Sequence, residues 1–185
     1  MLSTLGAAPV RFEDQDNNLQ NVATRYLARD PESLVLSGYR GWLAFAADRD
    51  ISKLEAIWNE FSKKLDHKCA LMAMSGLENL IRKMGVCAQC PLRFHCQGTK
   101  NLCRDECLML ALISSLQNGD EESAYLSAST LTSTTSAKGA IEVLASATEF
   151  AMALKLGGKQ LLPIEAGAVR WIIEKSPNPE SATVH

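Results

Sequence analysis

The sequence predicts an all-α protein, a single-domain bundle of about six to eight helices with a cysteine-rich loop between two of them. Apolar residues recur at spacings of three and four along most of the chain, the pattern of helices with one buried face. No run alternates β-branched and polar residues, and no Asn-Gly or Asp-Gly hairpin joins two such runs. With 185 residues, 46% hydrophobic and 22% charged, the chain suits one well-buried core and is short for two domains and a linker.

Residues 1–15 lack periodicity and read as a flexible arm, residues 16–175 as the helical domain, and residues 176–185, with Pro177 and Pro179, as a loose tail. Asn17 or Asn18 is placed to cap a first helix carrying Leu19, Val22, Ala23, Tyr26 and Leu27 on one face. Asp30 before Pro31 opens a second, since proline at the first helical position gives up only an N–H that had no partner. That helix is expected to reach Asp48, is apolar almost all round, and carries Gly38 and Gly41 as points of close approach. Asp50 is the expected cap of a third, with Ile51, Leu54, Ile57, Trp58, Phe61 and Leu65 inside. Asp66 opens a fourth, with Cys69, Met72, Leu77, Leu80, Ile81 and Met84 inward and Gly85 as its stop.

After the cysteine loop a fifth helix is expected over residues 102–116, stopped by Asn118-Gly119. Asp120, Glu121 and Glu122 form a negative first turn for a sixth, which suits the positive end of the helix dipole. The serine- and threonine-rich stretch 127–136 reads as a loop or frayed helix end, because short hydroxyl side chains compete for backbone hydrogen bonds. Ala137 to Leu156 reads as a long helix with Ile141, Leu144, Ala145, Thr148, Ala151, Met152 and Leu156 on its face and Gly157-Gly158 as its end. A last helix is expected over Pro163 to Lys175.

Five of the six cysteines fall within residues 87–107, spaced C-x2-C-x5-C-x6-C-x3-C, with His95 beside the third. Cys87 and Cys90 can bite one metal ion from a tight turn, and Cys103 and Cys107, four apart on a helix, share a face. The simplest assembly is a four-thiolate zinc site of Cys87, Cys90, Cys103 and Cys107, in which Cys96 or His95 can replace one ligand. An iron–sulfur cluster would draw instead on Cys87, Cys90, Cys96 and Cys103. Over residues 87–96 the C-x2-C-x5-C spacing resembles segments that hold [4Fe–4S] clusters in several unrelated families, and it brings none of their catalytic motifs.

Two further readings stay open: a redox-responsive zinc site, and buried reduced cysteines that pack as small hydrophobes, the expectation for Cys69. A dithiol oxidoreductase fits poorly, because its C-x-x-C follows a strand and opens a helix, and Pro91 here follows the second cysteine. Residues 81–104 hold Arg82, Lys83, Arg93, Lys100 and Arg104 with no acid, a basic setting expected to favour thiolates.

The net charge of −2 gives no global attraction to nucleic acid, and the basic segment lacks the interleaved aromatics of single-strand binders. No apolar run approaches the roughly 18 residues of a membrane span. Met1 to Val10 has no basic n-region and runs into Glu13, Asp14 and Asp16, so a reducing cytoplasmic setting is expected. Three histidines, no His-Glu-x-x-His, no phosphate loop and no nucleophile elbow leave no recognisable catalytic set. The expectation is a non-catalytic helical interaction or regulatory protein with a structural metal site, its partner another protein or a second copy of itself. The alternative is a metal or iron–sulfur enzyme, or a cluster-handling accessory.

Overall fold

The helical spacings become seven helices in the computed structural model, which describes residues 27–88, 91–133 and 137–175. In chain order these are α1 (Asp30–Asp48), α2 (Ser52–Lys64), α3 (His67–Cys87), α4 (Arg104–Asn118), α5 (Glu121–Thr132), α6 (Ala137–Leu156) and α7 (Ala166–Lys175). The described residues contain no strand. The expected arm, the expected helix from Leu19 to Tyr26 and the tail lie outside the described residues, as does Cys90.

Helix ends follow local chemistry. The Asp66 carboxylate accepts the Cys69 N–H at 3.0 Å and that of Asp120 accepts the Ser123 N–H at 3.0 Å, each satisfying an orphan donor of a first turn. Asp30 does not cap α1: it lies within the first turn, and Arg29 takes the cap position without a side-chain bond. Gly85 does not end α3 either, and the helix runs on to Cys87. Nothing there demands a left-handed residue, because Ala88 leaves the helix in an extended conformation. Gly119, with φ of 78°, does stop α4 in the left-handed conformation that glycine adopts without strain. α5 continues through Ser127 to Thr132, so the hydroxyl-rich stretch is helix rather than loop at its start; there the Thr132 hydroxyl donates to the Ala128 carbonyl at 2.9 Å. The last helix begins at Ala166, three residues beyond Pro163.

The helices pack around one core, in which Tyr39, Phe61, Leu77, Leu80, Met84, Leu108, Met109, Leu112, Phe150 and Leu154 are fully buried. Its most extensive helix pair is α3 with α6. These run antiparallel, since Gly157 abuts Leu65 and Cys69, Gly76 abuts Phe150, and Lys83 pairs with Glu142 at 3.0 Å. A Cβ on Gly76 would stand 2.8 Å from the Phe150 nitrogen, so glycine is what lets the two backbones meet.

The expected face of α6 is only partly the buried one: Ala151 is buried and Leu144 packs half-buried against the core, as expected. The buried residues of α6 are Ala140, Val143, Ala147, Phe150, Ala151, Ala153 and Leu154, while Ile141, Met152 and Leu156 are exposed. Both stripes of α6 are apolar, and it is the backbone at Phe150, on the buried one, that meets Gly76 of α3. Met72 on α3 and Ile51 ahead of α2 are likewise exposed rather than inward. Cys69 is buried, as expected.

Candidate metal-ligand site at the cysteine loop

The segment joining α3 to α4 is fastened by an ion pair from the two helices it crosses. Arg40 projects from α1 and Glu106 from the first turn of α4, and both are buried. The Arg40 Nε donates to Glu106 Oε1 at 2.7 Å and its Nη2 to Oε2 at 3.2 Å, a two-pronged, charge-assisted contact. The remaining guanidinium capacity goes to the loop: Nη1 donates to the Thr99 carbonyl at 2.8 Å and Nη2 to that of Asn101 at 2.9 Å.

The Glu106 carboxylate gathers the rest of the loop. Oε1 accepts the His95 backbone N–H at 2.8 Å, Oε2 accepts that of Cys103 at 2.9 Å, and His95 Nδ1 lies 2.9 Å from Oε2. Burial opposes the charge of Glu106, but the bonds from Arg40, His95 and Cys103 outweigh it and bring its pKa down to about 2. Tyr39, one residue before Arg40, donates its hydroxyl to the Arg93 carbonyl at 3.2 Å. Asp105 accepts the Arg93 backbone N–H at 2.8 Å. A loop with little regular structure thereby has several of its backbone groups bonded to side chains of the helices beside it.

The expected ligands fall unevenly around this clamp. Cys87 is the last residue of α3 and half-buried; Cys96 is exposed in the loop; Cys103 is the N-cap residue of α4; Cys107 sits one turn inside that helix. His95 and Cys103 come together with Glu106, their ligand atoms all within 4.8 Å of one another, the one such group among the described residues. Cys87, Cys96 and Cys107 are not members of it.

The basic setting does not govern the helix thiols. Burial, with the Glu106 and Asp105 carboxylates beside it, pushes Cys103 up to about 11; burial, with Cys103 and Glu106, pushes Cys107 up to about 12. The charged side chains that act on these two thiols are the acids of α4, and burial and these acids both oppose the thiolate. Cys87 closes a helix instead of opening one, the reverse of the arrangement that activates a dithiol.

Sequence reasoning passed over Arg40 and Glu106. Two signals pointed to them: an arginine between Tyr39 and Gly41 on a helix otherwise apolar all round, and the Cys103-x-x-Glu106 spacing, a capping-box pattern with cysteine in the serine position.

The fold and site together define a class: an all-α bundle that holds a cysteine- and histidine-bearing loop against its core by a buried arginine–glutamate pair. Comparisons with known protein families, with curated proteins and with solved structures find no match to this chain. No described helix is long and apolar enough to cross a membrane.

Proposed function

We propose that this chain is a non-catalytic helical interaction or regulatory protein whose segment 87–107 binds a metal ion, and that the ion is zinc. The observation that carries the reading is the convergence of His95 and Cys103 on a shared anchor, Glu106. Imidazole nitrogen beside a cysteine sulfur is a donor pair that tetrahedral zinc accepts readily, whereas a [4Fe–4S] cluster calls for four thiolates. Two further ligands would have to come from among Cys87, Cys90, Cys96 and Cys107 for four coordination. A metal bound there would join the end of α3 to the start of α4 across a loop that already touches α1, which suits a structural or regulatory role. The partner in this reading is another protein or a second copy of the chain.

The test is anaerobic purification followed by elemental analysis and absorption spectroscopy. One zinc per chain is expected, with His95→Ala and Cys103→Ser each lowering zinc content and Cys69→Ser leaving it unchanged. A brown protein with stoichiometric iron would replace zinc by a cluster; no metal, with every thiol titratable, would end the reading. Sedimentation velocity with and without a chelator checks the regulatory part, for which the expected result is a change in self-association.

A further inference from the structure

We infer that Glu106 is not a ligand of the metal but the carboxylate that orients His95, leaving His95 Nε2 as the metal-binding atom. The inference rests on the metal reading above and assigns its histidine ligand and that ligand's positioning residue. Three atoms of the group lie close enough to suggest His95, Cys103 and Glu106 as joint ligands. The hydrogen bonds of Glu106 argue otherwise.

Both Glu106 oxygens are committed: Oε1 to Arg40 Nε and the His95 backbone N–H, Oε2 to Arg40 Nη2, the Cys103 backbone N–H and His95 Nδ1. A cation entering this shell would have to displace a buried guanidinium and then sit beside it, in a site where like charges are poorly screened. Leaving would be no easier for Arg40, whose other N–H groups hold the Thr99 and Asn101 carbonyls. A carboxylate paired with an arginine accepts hydrogen bonds and donates none, so the hydrogen between it and His95 belongs to Nδ1. The lone pair of a neutral ring then resides on Nε2. Metal-binding histidines are commonly held this way, with the far ring nitrogen donating to a carboxylate that fixes tautomer and orientation.

One residue thus serves two tasks. The carboxylate that sets the His95 ring also receives Arg40 from α1, so the ligand orientation is supported by the packing of a helix that contributes no ligand itself.

Long-range proton–nitrogen NMR of the full chain, recorded before and after addition of zinc alone, reads the nitrogens of His95 directly. The expected result is an Nδ1–H tautomer already present without zinc, and a shift of Nε2 to a metal-bound value with zinc. In Glu106→Gln, zinc affinity should fall about tenfold to a hundredfold, the usual cost of losing an orienting partner. The wild-type spectra decide the matter if that variant does not fold. Zinc on Nδ1 with a hydrogen on Nε2, or an Nε2–H tautomer in the zinc-free chain, overturns the inference while leaving the metal reading intact. Absence of any zinc uptake overturns the metal reading, and the zinc-free spectrum still reports whether Glu106 orients the ring.

Discussion

The α3–α6 seam and the clamp under the cysteine loop hold the same bundle together by opposite means. In the seam, Gly76 lies against the backbone of Phe150, so cohesion comes from many weak contacts between closely approaching backbones. In the clamp, one guanidinium and one carboxylate carry a handful of directional bonds to a loop that has no helix or sheet of its own. The seam tolerates no added volume, whereas the clamp tolerates no lost partner. Packing penalises atoms that intrude; a buried charge penalises atoms that go missing.

Breaking the clamp is expected to have the largest effect. Arg40→Met removes the partner of a buried carboxylate and strands the Thr99 and Asn101 carbonyls, for an expected loss of about 3–5 kcal/mol in urea unfolding. Arg40→Met combined with Glu106→Leu should recover part of that loss, because no uncompensated charge remains. If the single change cost no more than an average surface substitution, the contrast drawn between the two regions would fail.

The seam ranks next. In Gly76→Ala the new methyl would meet the Phe150 nitrogen at 2.8 Å and its Cα at 2.9 Å, backbone atoms that cannot turn aside. The expected cost is about 1–3 kcal/mol. Gly157→Ala sharpens the point, since its methyl would meet the Leu65 Cδ2, a side-chain end that can rotate away. Its loss in thermal unfolding should be the smaller of the two, and equal losses would show that backbone contact is not what makes the seam rigid.

The smallest effects belong to single helix caps. Asp120→Ala removes the acceptor of the Ser123 N–H and should cost about 1 kcal/mol. Asp120 and Asp66 are held below the ordinary aspartate range mainly by these side-chain bonds to first-turn residues. A carboxylate whose pKa is lower folded than unfolded adds stability that is complete above its unfolded pKa and disappears as pH falls through the folded value. Unfolding followed from pH 6 down to about 2 should therefore show a shallower acid decline in the Asp66→Ala, Asp120→Ala double variant than in the wild type.

Much of the fold was legible because helices are local objects. The bounds of α6 and the carboxyl end of α1 follow from runs of apolar residues and the Gly-Gly or Asp that closes them, and the α3 cap from a single aspartate; Asp120, expected within the first turn of α5, is instead its cap. The inward face of α6 was only partly legible, because Ile141, Met152 and Leu156 make as good an apolar stripe as Ala147, Phe150 and Leu154. Hydrophobicity alone does not record which stripe meets Gly76. At the candidate site, the crowding of cysteines between residues 87 and 107 and the neighbouring His95 stand out in the sequence. The carboxylate and guanidinium beneath them do not, since Arg40 and Glu106 lie 66 residues apart and each alone resembles an ordinary charged residue.

By itself, then, the sequence determined an all-α chain, the positions of most helix ends and the segment in which cysteine chemistry is concentrated. These depend on spacings of a few residues, over which backbone hydrogen bonding and capping act. Only the tertiary structure decided which face of α6 is buried, that burial and acids rather than nearby basic residues govern Cys103 and Cys107, and that Glu106 joins His95, Cys103 and Arg40 at one point. Those outcomes depend on which distant groups share a dry interior, where a steric fit or a single ion pair outweighs any local preference.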